Sequence, residues 1–262
     1  MIPLRYITEW RNMVPWQEDV QVEQDLVICR ALVEIFNNPF LKKSVAFRGG
    51  TALHKLFLSP QPRYSEDIDL VQVDSGSIGE VLDNIRDALS FLGKPQVKSN
   101  EKMVTMRFRF DSESQPVIPL KLKVETNCRE HFTELGYLEK PFSVQSGWFA
   151  GECSIITYQF EELLGTKLRA LYQRKKGRDL FDLYKAYTLA EPDTEKLIQC
   201  YQKYIGFVVT NPPSKTDFLK NMEAKLDDEL FLEDIKGLIS VDHNYDVHHA
   251  YELVKEKLLL KL

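Results

Sequence analysis

The sequence has few cysteines and no long apolar run. Its four cysteines, Cys29, Cys128, Cys153 and Cys200, lie far apart in 262 residues, and no CxxC pair or close Cys/His group provides the spacing of a structural zinc site. No stretch approaches the roughly 20 apolar residues that a membrane-spanning helix needs, and the N-terminus lacks the apolar run of a signal peptide. We therefore expect a reduced, cytoplasmic protein with no membrane partner.

Positive charge is not in excess either. The chain has 34 basic and 39 acidic residues, for a net charge of −5, so any nucleic-acid binding is expected to be local rather than spread over the surface. The GxxxxGK[ST] loop of P-loop enzymes and a serine-nucleophile elbow are also missing. The 44% of apolar and 28% of charged residues are typical of a globular protein, and the length allows one large domain or two modest ones.

Hydrophobic periodicity divides the chain into two parts. The alternating runs MVTMRFRFD and VIPLKLKVETN predict strands, as do the shorter SVAF, DIDLVQV, FSVQS and CSIITY, while the segments between several of them have helical spacing. After residue 160 only helical patterns follow, one of them with Ser214 as its predicted N-cap. We expect an α/β domain over residues 1–159 and a helical domain over residues 160–262.

One stretch, FRGGTALHKLFLSPQPRYSEDIDLV, combines two features that bind phosphates and metals. Gly49, Gly50 and Thr51 open a helix, where glycines permit close approach of a phosphate and the helix N-terminal amides attract anions. Asp67 and Asp69 are two apart on a strand, so their carboxylates share one face and suit Mg²⁺. Alone, each pattern is more often a turn or an exposed face. Together they indicate phosphoryl or nucleotidyl transfer.

The same stretch resembles the first motif of the DNA-polymerase-β-type nucleotidyltransferases. It is most similar to the AbiEii/AbiGii group, which includes the MenT toxins and has a GGT-A-L turn, then an arginine, an aromatic residue, a serine and a D-x-D strand. The residues that carry the resemblance are Gly49, Gly50, Thr51, Ala52, Leu53, Arg63, Tyr64, Ser65, Asp67 and Asp69. The more usual Gly-Ser opening of the superfamily, with its shorter gap to the acids, is not found here.

A third carboxylate is expected from a neighbouring strand. Glu125 in KLKVETN is the candidate, and it shares a strand face with Lys121 and Lys123. A solvated face with charge pairing along the strand is the alternative. The resemblance favours Glu125, because proteins of the group usually have a K-x-E-type strand at this place.

The helical part contains a lysine and two acids of interest. Lys167 lies within or beside a leucine stripe, so its ammonium group either reaches out to solvent or projects into a polar cleft, where it would suit a triphosphate. Asp179 and Asp182 share a helix face, and Arg178 is an i,i+4 neighbour of Asp182. Stabilisation of the helix dipole is the simpler explanation for these acids.

These residues also resemble the later AbiEii motifs, L-x-x-x-K-L-x-A-L and R-D-x-x-D-L. Lys167, Leu168, Ala170 and Leu171 match the first motif, and Arg178, Asp179, Asp182 and Leu183 match the second. In that group the lysine is implicated in nucleotide binding and one aspartate of the last motif in catalysis. We favour Asp182 over Asp179 for that role.

Two further segments have no assigned function. QRKKGR concentrates basic charge and could meet an RNA backbone or nucleotide phosphates, or form a solvated helix junction. VDHNYDVHH contains Asp242, His243, His248 and His249. Adjacent histidines at a helix start rarely bind one metal together, so no metal site is expected there.

The resemblance implies an α+β fold, with a polymerase-β-like nucleotidyltransferase core on a mixed β-sheet, and a helical domain that contributes to the active-site cleft. It implies transfer of an NMP from GTP, CTP or ATP to RNA, such as a tRNA 3′ end, by the toxin of a toxin–antitoxin or phage-defence system with a cognate antitoxin. NMP transfer to protein and a non-catalytic nucleotide-binding module are the alternatives.

The resemblance also implies a set of site residues. The metal ligands for Mg²⁺ or Mn²⁺ are Asp67, Asp69 and Glu125. Catalysis adds Lys167, Asp179 and Asp182 to those three. The nucleotide-binding residues are Gly49, Gly50, Thr51, Arg63, Ser65, Lys167 and Arg178.

Overall fold

The computed structural model describes residues 2–16, 18–239 and 245–262. These residues form two compact units. The first comprises Met1–Leu56, Tyr64–Thr133 and Tyr137–Tyr158. The second comprises Phe57–Arg63, Glu134–Gly136 and Gln159–Leu262.

A seven-stranded sheet forms the centre of the first unit. Its strands are β1 (Val45–Arg48), β2 (Asp67–Gln72), β3 (Gln96–Ser99), β4 (Met103–Asp111), β5 (Pro119–Asn127), β6 (Tyr137–Gln145) and β7 (Ala150–Tyr158). They lie in the order β3-β4-β5-β2-β1-β7-β6. The pairs β2–β5 and β1–β7 are parallel and the others are antiparallel, so the expected mixed sheet of an α+β fold is confirmed.

Helices cover one face of this sheet. They are α1 (Leu4–Arg11), α2 (Asp19–Asn37), α3 (Leu41–Ser44), α4 (Gly49–Leu56) and α5 (Ile78–Ala88), followed by a 3-10 turn at Ser90–Leu92. The long helix α2 packs against β5, β6 and β7, and its Phe36 ring lies 6.4 Å from the Phe47 ring of β1. Phe47 is in register with Leu70 of β2. The face that contains Leu70 is therefore the apolar one.

The first unit contains an ion pair between α2 and α4. Lys55 Nζ lies 2.8 Å from Asp25 Oδ1 and 3.3 Å from Cys29 Sγ, and Trp10 Nε1 donates to Asp25 Oδ2 at 3.0 Å. Burial lowers the pKa of Lys55, but the charges of Asp25 and Cys29 outweigh burial, and the pKa lies above its ordinary value. The pair fixes α4, which begins at the glycine turn, against α2.

The second unit is helical. Its helices are α6 (Phe160–Gln173), α7 (Gly177–Leu189), α8 (Thr194–Val208), α9 (Lys215–Leu226), α10 (Glu229–Glu233) and α11 (Val247–Lys257), with a 3-10 turn at Leu259–Lys261. Gly165 lets α8 approach α6, because a Cβ at this position would lie 2.7 Å from the Cβ of Cys200. The predicted N-cap Ser214 is confirmed and forms a capping box with Asp217. Within the described ranges, no helix is long and apolar enough to cross a membrane.

Lys55→Met should destabilise the protein by about 3–5 kcal/mol, because Asp25 would keep its charge in the interior without a cation. The double variant Asp25→Asn/Lys55→Met should recover much of this loss, since the amide oxygen still accepts from Trp10 and no buried charge remains. Urea denaturation measures both. Lys220→Met, at an exposed position, is the control, and a loss for Lys55→Met no larger than that of the control would contradict the role of the pair.

Candidate active site

The strand register brings three carboxylates together on the polar face of the sheet. In the parallel pair β2–β5, Asp67 is in register with Lys123 and Asp69 with Glu125. On the other side of β2, Arg48 of β1 is in register with Asp69. Residues in register on neighbouring strands point to the same face. We call Asp67, Asp69 and Glu125 the acid centre.

Lys123 lies between two members of the acid centre. Its Nζ is 2.8 Å from Asp67 Oδ2 and 3.4 Å from Glu125 Oε2, while Thr105 Oγ1 donates to Glu125 Oε1 at 3.1 Å. Burial lowers the pKa of Lys123, but the hydrogen bond that Lys123 donates to Asp67 and the charges of Asp67 and Glu125 outweigh burial and raise the pKa. The carboxylates therefore attract a cation, and in this structure the cation is a lysine.

The donor chemistry of the acid centre fits a hard divalent ion. Mg²⁺ takes carboxylate oxygens, commonly from one or two side chains, and completes its shell with water and phosphate oxygens. Asp67 is 36% exposed, so its carboxylate is open to an incoming ion. In the part of the chain that the structure describes, no group of three or more His, Cys, Asp or Glu side chains is arranged to hold a metal by itself.

The glycine turn passes directly beside the acid centre. Gly49 has a φ of +81°, and a Cβ at this position would overlap the Asp69 carboxylate. Only glycine adopts this left-handed conformation at little energetic cost, and here it also avoids the overlap. Arg48, which precedes the turn, pairs with Glu130. Burial is the largest single effect on the pKa of Arg48 and lowers it, but the charges of Glu130 and Asp69 help to outweigh burial, and the pKa is raised.

Hydroxyl groups connect the start of α4 with the start of β2. Thr51 is 1% exposed, and its Oγ1 donates to the backbone oxygen of Asp67. Thr51 Oγ1 also lies 2.7 Å from Ser65 Oγ. Because the Thr51 proton is already donated to Asp67, the Ser65 hydroxyl is the donor in this second bond. Both hydroxyls therefore hold the glycine turn and the acid strand together.

The second unit contains a buried network of charges around Lys167. Lys167 Nζ lies 2.9 Å from Asp182 Oδ2 and 3.3 Å from Asp179 Oδ1. Arg63 donates to Asp182 through two hydrogen bonds of 2.7 and 2.8 Å, and Arg174 donates to Asp179 through two of 2.7 and 2.9 Å. The lysine is thus buried in a polar interior rather than extended into solvent, and each aspartate has its own arginine.

The network has three cations and two anions. Asp179 and Asp182 are fully buried, whereas the side chain of Arg174 is 49% exposed. Burial raises the pKa of Asp179, but Lys167 and Arg174 outweigh burial and lower it. Arg63 has a raised pKa because Asp182 outweighs its burial. Arg174 extends the network to the solvent.

Sequence reasoning missed several of these partners and placed one residue elsewhere. Arg178 does not join the Lys167 network. Its Nε lies 3.8 Å from Asp234 Oδ2, to which its backbone N–H also donates. Arg174, Lys123 and Arg48 were not among the predicted site residues. The K-x-E pattern on β5 could have indicated Lys123, since residues two apart on a strand share a face. Of the histidine-rich segment, Asp242 and His243 lie outside the described residues.

Comparison with solved structures shows the fold. JHP933 from Helicobacter pylori superposes with a TM-score of 0.58 at 17% identity, over 94% of this chain and 96% of that one. MenT4, a nucleotidyltransferase toxin from Mycobacterium tuberculosis, superposes with a TM-score of 0.55 at 14% identity, over 97% and 99%. At such low identity the likeness shows a common fold. No curated protein sequence matches this chain.

Comparison with protein families shows the family to which the chain belongs. The family described as "Nucleotidyl transferase AbiEii toxin, Type IV TA system" matches residues 30–253. The matched range contains the glycine turn, the acid centre and the Lys167 network. Membership supports an enzyme rather than a non-catalytic module, and it implies a nucleotide substrate and a cognate antitoxin. The chain belongs to the AbiEii family of nucleotidyltransferases, the toxins of type IV toxin–antitoxin systems.

Proposed function

We propose that the protein transfers an NMP from a nucleoside triphosphate to a hydroxyl group of RNA, with a tRNA 3′ end as the acceptor. A divalent ion, Mg²⁺ or Mn²⁺, is the cofactor. Modification of tRNA would arrest growth until the antitoxin acts, and it could limit phage propagation. The expected compartment is the cytoplasm, where NTPs and tRNA are found. The motif resemblance supports the acceptor class.

The observation that carries the proposal is the contact between the glycine turn and the acid centre. Gly49 approaches the Asp69 carboxylate so closely that no side chain fits. The backbone amides at the start of α4, which attract anions, therefore lie beside the carboxylates that attract a cation. A triphosphate carries anionic oxygens, so its complex with a metal ion needs both the amides and the carboxylates. This proximity of an anion site and a cation site is what a metal–nucleotide complex requires.

The reaction forms a bond between the acceptor oxygen and the α-phosphorus and breaks the bond from that phosphorus to the leaving pyrophosphate. The acceptor hydroxyl loses its proton. A divalent ion supplies charge neutralisation on the phosphates and lowers the pKa of the attacking hydroxyl. Asp67 and Asp69 would hold this ion, with Glu125 as a further ligand. Gly49 and Gly50 would bind phosphate oxygens through their amides.

The remaining polar residues have separate parts in the proposal. Thr51 and Ser65 position the glycine turn relative to the acid strand. Lys167 contributes to nucleotide binding, as the family motif implies, and would neutralise negative charge on the triphosphate. Asp182 and Asp179 hold Lys167. Arg63 holds Asp182, and Arg174 holds Asp179. The assignment of Arg178 to the nucleotide rests on the motif alone.

The first test is transfer of label. The protein is incubated in turn with each of the four α-³²P-labelled NTPs, Mg²⁺ and bulk tRNA, and the labelled products are separated on denaturing gels. Asp67→Asn should reduce transfer about 100-fold or more, because a charge stabiliser of the reaction is lost. Glu66→Gln, which neutralises the adjacent exposed acid, should leave transfer nearly unchanged.

Two outcomes would contradict this proposal. One is the absence of labelled tRNA with all four nucleotides in the wild-type protein. The other is equal labelling by wild type and Asp67→Asn. Label that appears on protein instead of RNA would favour NMP transfer to protein, which intact-mass measurement of the labelled species would identify.

The second test concerns the glycine turn. Gly49→Ala should reduce transfer about 100-fold, because the new Cβ displaces Asp69 and a shift of the order of 1 Å at a reacting centre has effects of this size. Gly93→Ala is the matched control, since Gly93 has a φ of +78° and its Cβ would meet nothing within 4 Å. Both variants place an alanine at a positive φ, so thermal denaturation should show a loss of stability in each, and the overlap with Asp69 adds to the loss in Gly49→Ala alone. Equal transfer activity in the two variants would show that the glycine turn is not part of the active site.

The third test separates nucleotide binding from folding at Lys167. Lys167→Met leaves Asp179 paired with Arg174 and Asp182 paired with Arg63, so the loss of stability should be well below the roughly 3–5 kcal/mol of a broken buried pair. Nucleotide affinity should nevertheless fall at least about tenfold in Lys167→Met, since an ammonium–phosphate bond contributes about 1.5–3 kcal/mol.

Nucleotide affinity is measured by isothermal titration calorimetry and stability by urea denaturation. Lys175→Met is the control, because Lys175 is 63% exposed and pairs with Asp228 rather than with the network. Unchanged nucleotide affinity in Lys167→Met would limit the network to a structural role.

A further inference from the structure

Cations run along the polar face of the sheet beside the acid centre. Strand β3 contributes Lys98, β4 contributes Arg107 and Arg109, and β5 contributes Lys121. The registers Lys98↔Thr105, Arg107↔Lys123 and Arg109↔Lys121 place all of them on the face of Glu125. We call Lys98, Arg107, Arg109 and Lys121 the basic strip.

The basic strip contains contacts that folding alone does not explain. Arg107 lies directly opposite Lys123, and Arg109 lies directly opposite Lys121. Like charges in such positions repel and destabilise a sheet. Two consecutive pairs of this kind occur in a protein whose net charge is −5, so the general composition does not account for them.

The strip residues also lack acidic partners. Among the residues that the structure describes, none of the four forms an ion pair. Lys98, Arg109 and Lys121 are exposed. The Nε of Arg107 is shielded from solvent and donates to no acceptor. A shielded guanidinium N–H without an acceptor is unfavourable. A bound anion would contact the exposed strip residues and relieve the like-charge repulsion between the opposed pairs.

We propose that the basic strip binds the phosphate backbone of the RNA acceptor. The inference rests on the proposed function, because it assigns a place to the RNA. Lys123 contacts Asp67 and stands opposite Arg107, so the strip is continuous with the acid centre. Lys121 and Glu125 are four positions apart on an extended strand, which corresponds to about 13 Å. An RNA whose terminal hydroxyl reaches the acid centre has backbone phosphates within this distance.

An RNA fits the strip better than an acidic protein does. The acceptor must bring its hydroxyl to the carboxylates of the acid centre, which repel an anion, and a row of cations beside them compensates for this repulsion. An acidic protein partner would not have to approach the acid centre, so it would not require cations beside the carboxylates. Backbone contacts of this kind fix position and carry no base information, so the strip should bind RNAs of different sequence with similar affinity.

The test compares two double variants with the same change of charge. Arg109→Gln/Lys121→Gln removes an exposed opposed pair of the strip, and Lys220→Gln/Lys257→Gln removes two exposed cations of the second unit. Binding of fluorescein-labelled bulk tRNA is followed by anisotropy between about 50 and 200 mM KCl, the range over which phosphate contacts change affinity strongly. This measurement requires no catalysis.

The strip variant should bind tRNA about tenfold more weakly, and the slope of log affinity against log salt should fall by about 1.4, or roughly 0.7 for each lost contact to a single strand. The KM for NTP should not change. The thermal midpoint should stay the same or rise, because a repulsive pair has been removed. The control double variant should bind tRNA as the wild type does.

Equal tRNA affinity and salt slope in the two double variants would overturn the inference, as would a wild-type protein that does not bind tRNA. Loss of antitoxin binding with unchanged tRNA affinity would also overturn it, and would assign the strip to a protein partner. If tRNA binding depends on the strip but no nucleotide is transferred to RNA, the inference stands and the proposed acceptor falls.

Discussion

The parallel pairing of β2 with β5 determines where the charged side chains of the first unit lie. Its register places Asp69 beside Glu125 and Asp67 beside Lys123. A slip by one residue would turn Ile68 and Leu70 to the polar face and bury the acids. The apolar side chains of both strands oppose such a slip, since β5 packs against α2 and β2 packs against α4. The hydrophobic pattern that folds the sheet thus also assembles the acid centre.

Two groups of buried charges are stabilised in the same way, each within its own unit. In both groups, the one around Asp25 and the one around Lys167, each buried aspartate has a partner for both of its carboxylate oxygens. Buried polar networks with all partners present are rigid, and partly satisfied ones are unfavourable. In the first unit the result is a fixed start for α4. In the second it is a lysine whose ammonium group is held by two carboxylates.

Local patterns predicted much of the fold and part of the site. Alternation on β4 and β5 predicted strands, and the i,i+2 spacing of Asp67 and Asp69 predicted their common face. Helical spacing and Ser214 located α9. The roles of these residues in catalysis and nucleotide binding stay predictions.

Contacts between distant residues could not be predicted in the same way. Arg63 and Asp182 are 119 residues apart, and no periodicity connects them. Arg174 and Asp179 lie on opposite sides of a helix break, so the i,i+4 rule that suggested Arg178 as a neighbour of Asp182 does not reach their contact. Lys123 bridges two acids because of a register that only the folded sheet defines.

Lys123 connects two charged regions that would otherwise oppose each other. Without its ammonium group, Asp67 and Glu125 would face each other uncompensated, and Arg107 would lose the like-charged neighbour that makes its position unfavourable. Because the acids raise the pKa of Lys123, the side chain stays charged well above neutral pH. The register of β5 with β2 and with β4 thus determines both the attraction of Lys123 to the acids and its repulsion from Arg107. One side chain lies at the boundary of the two charged regions because both neighbouring strands pair with β5.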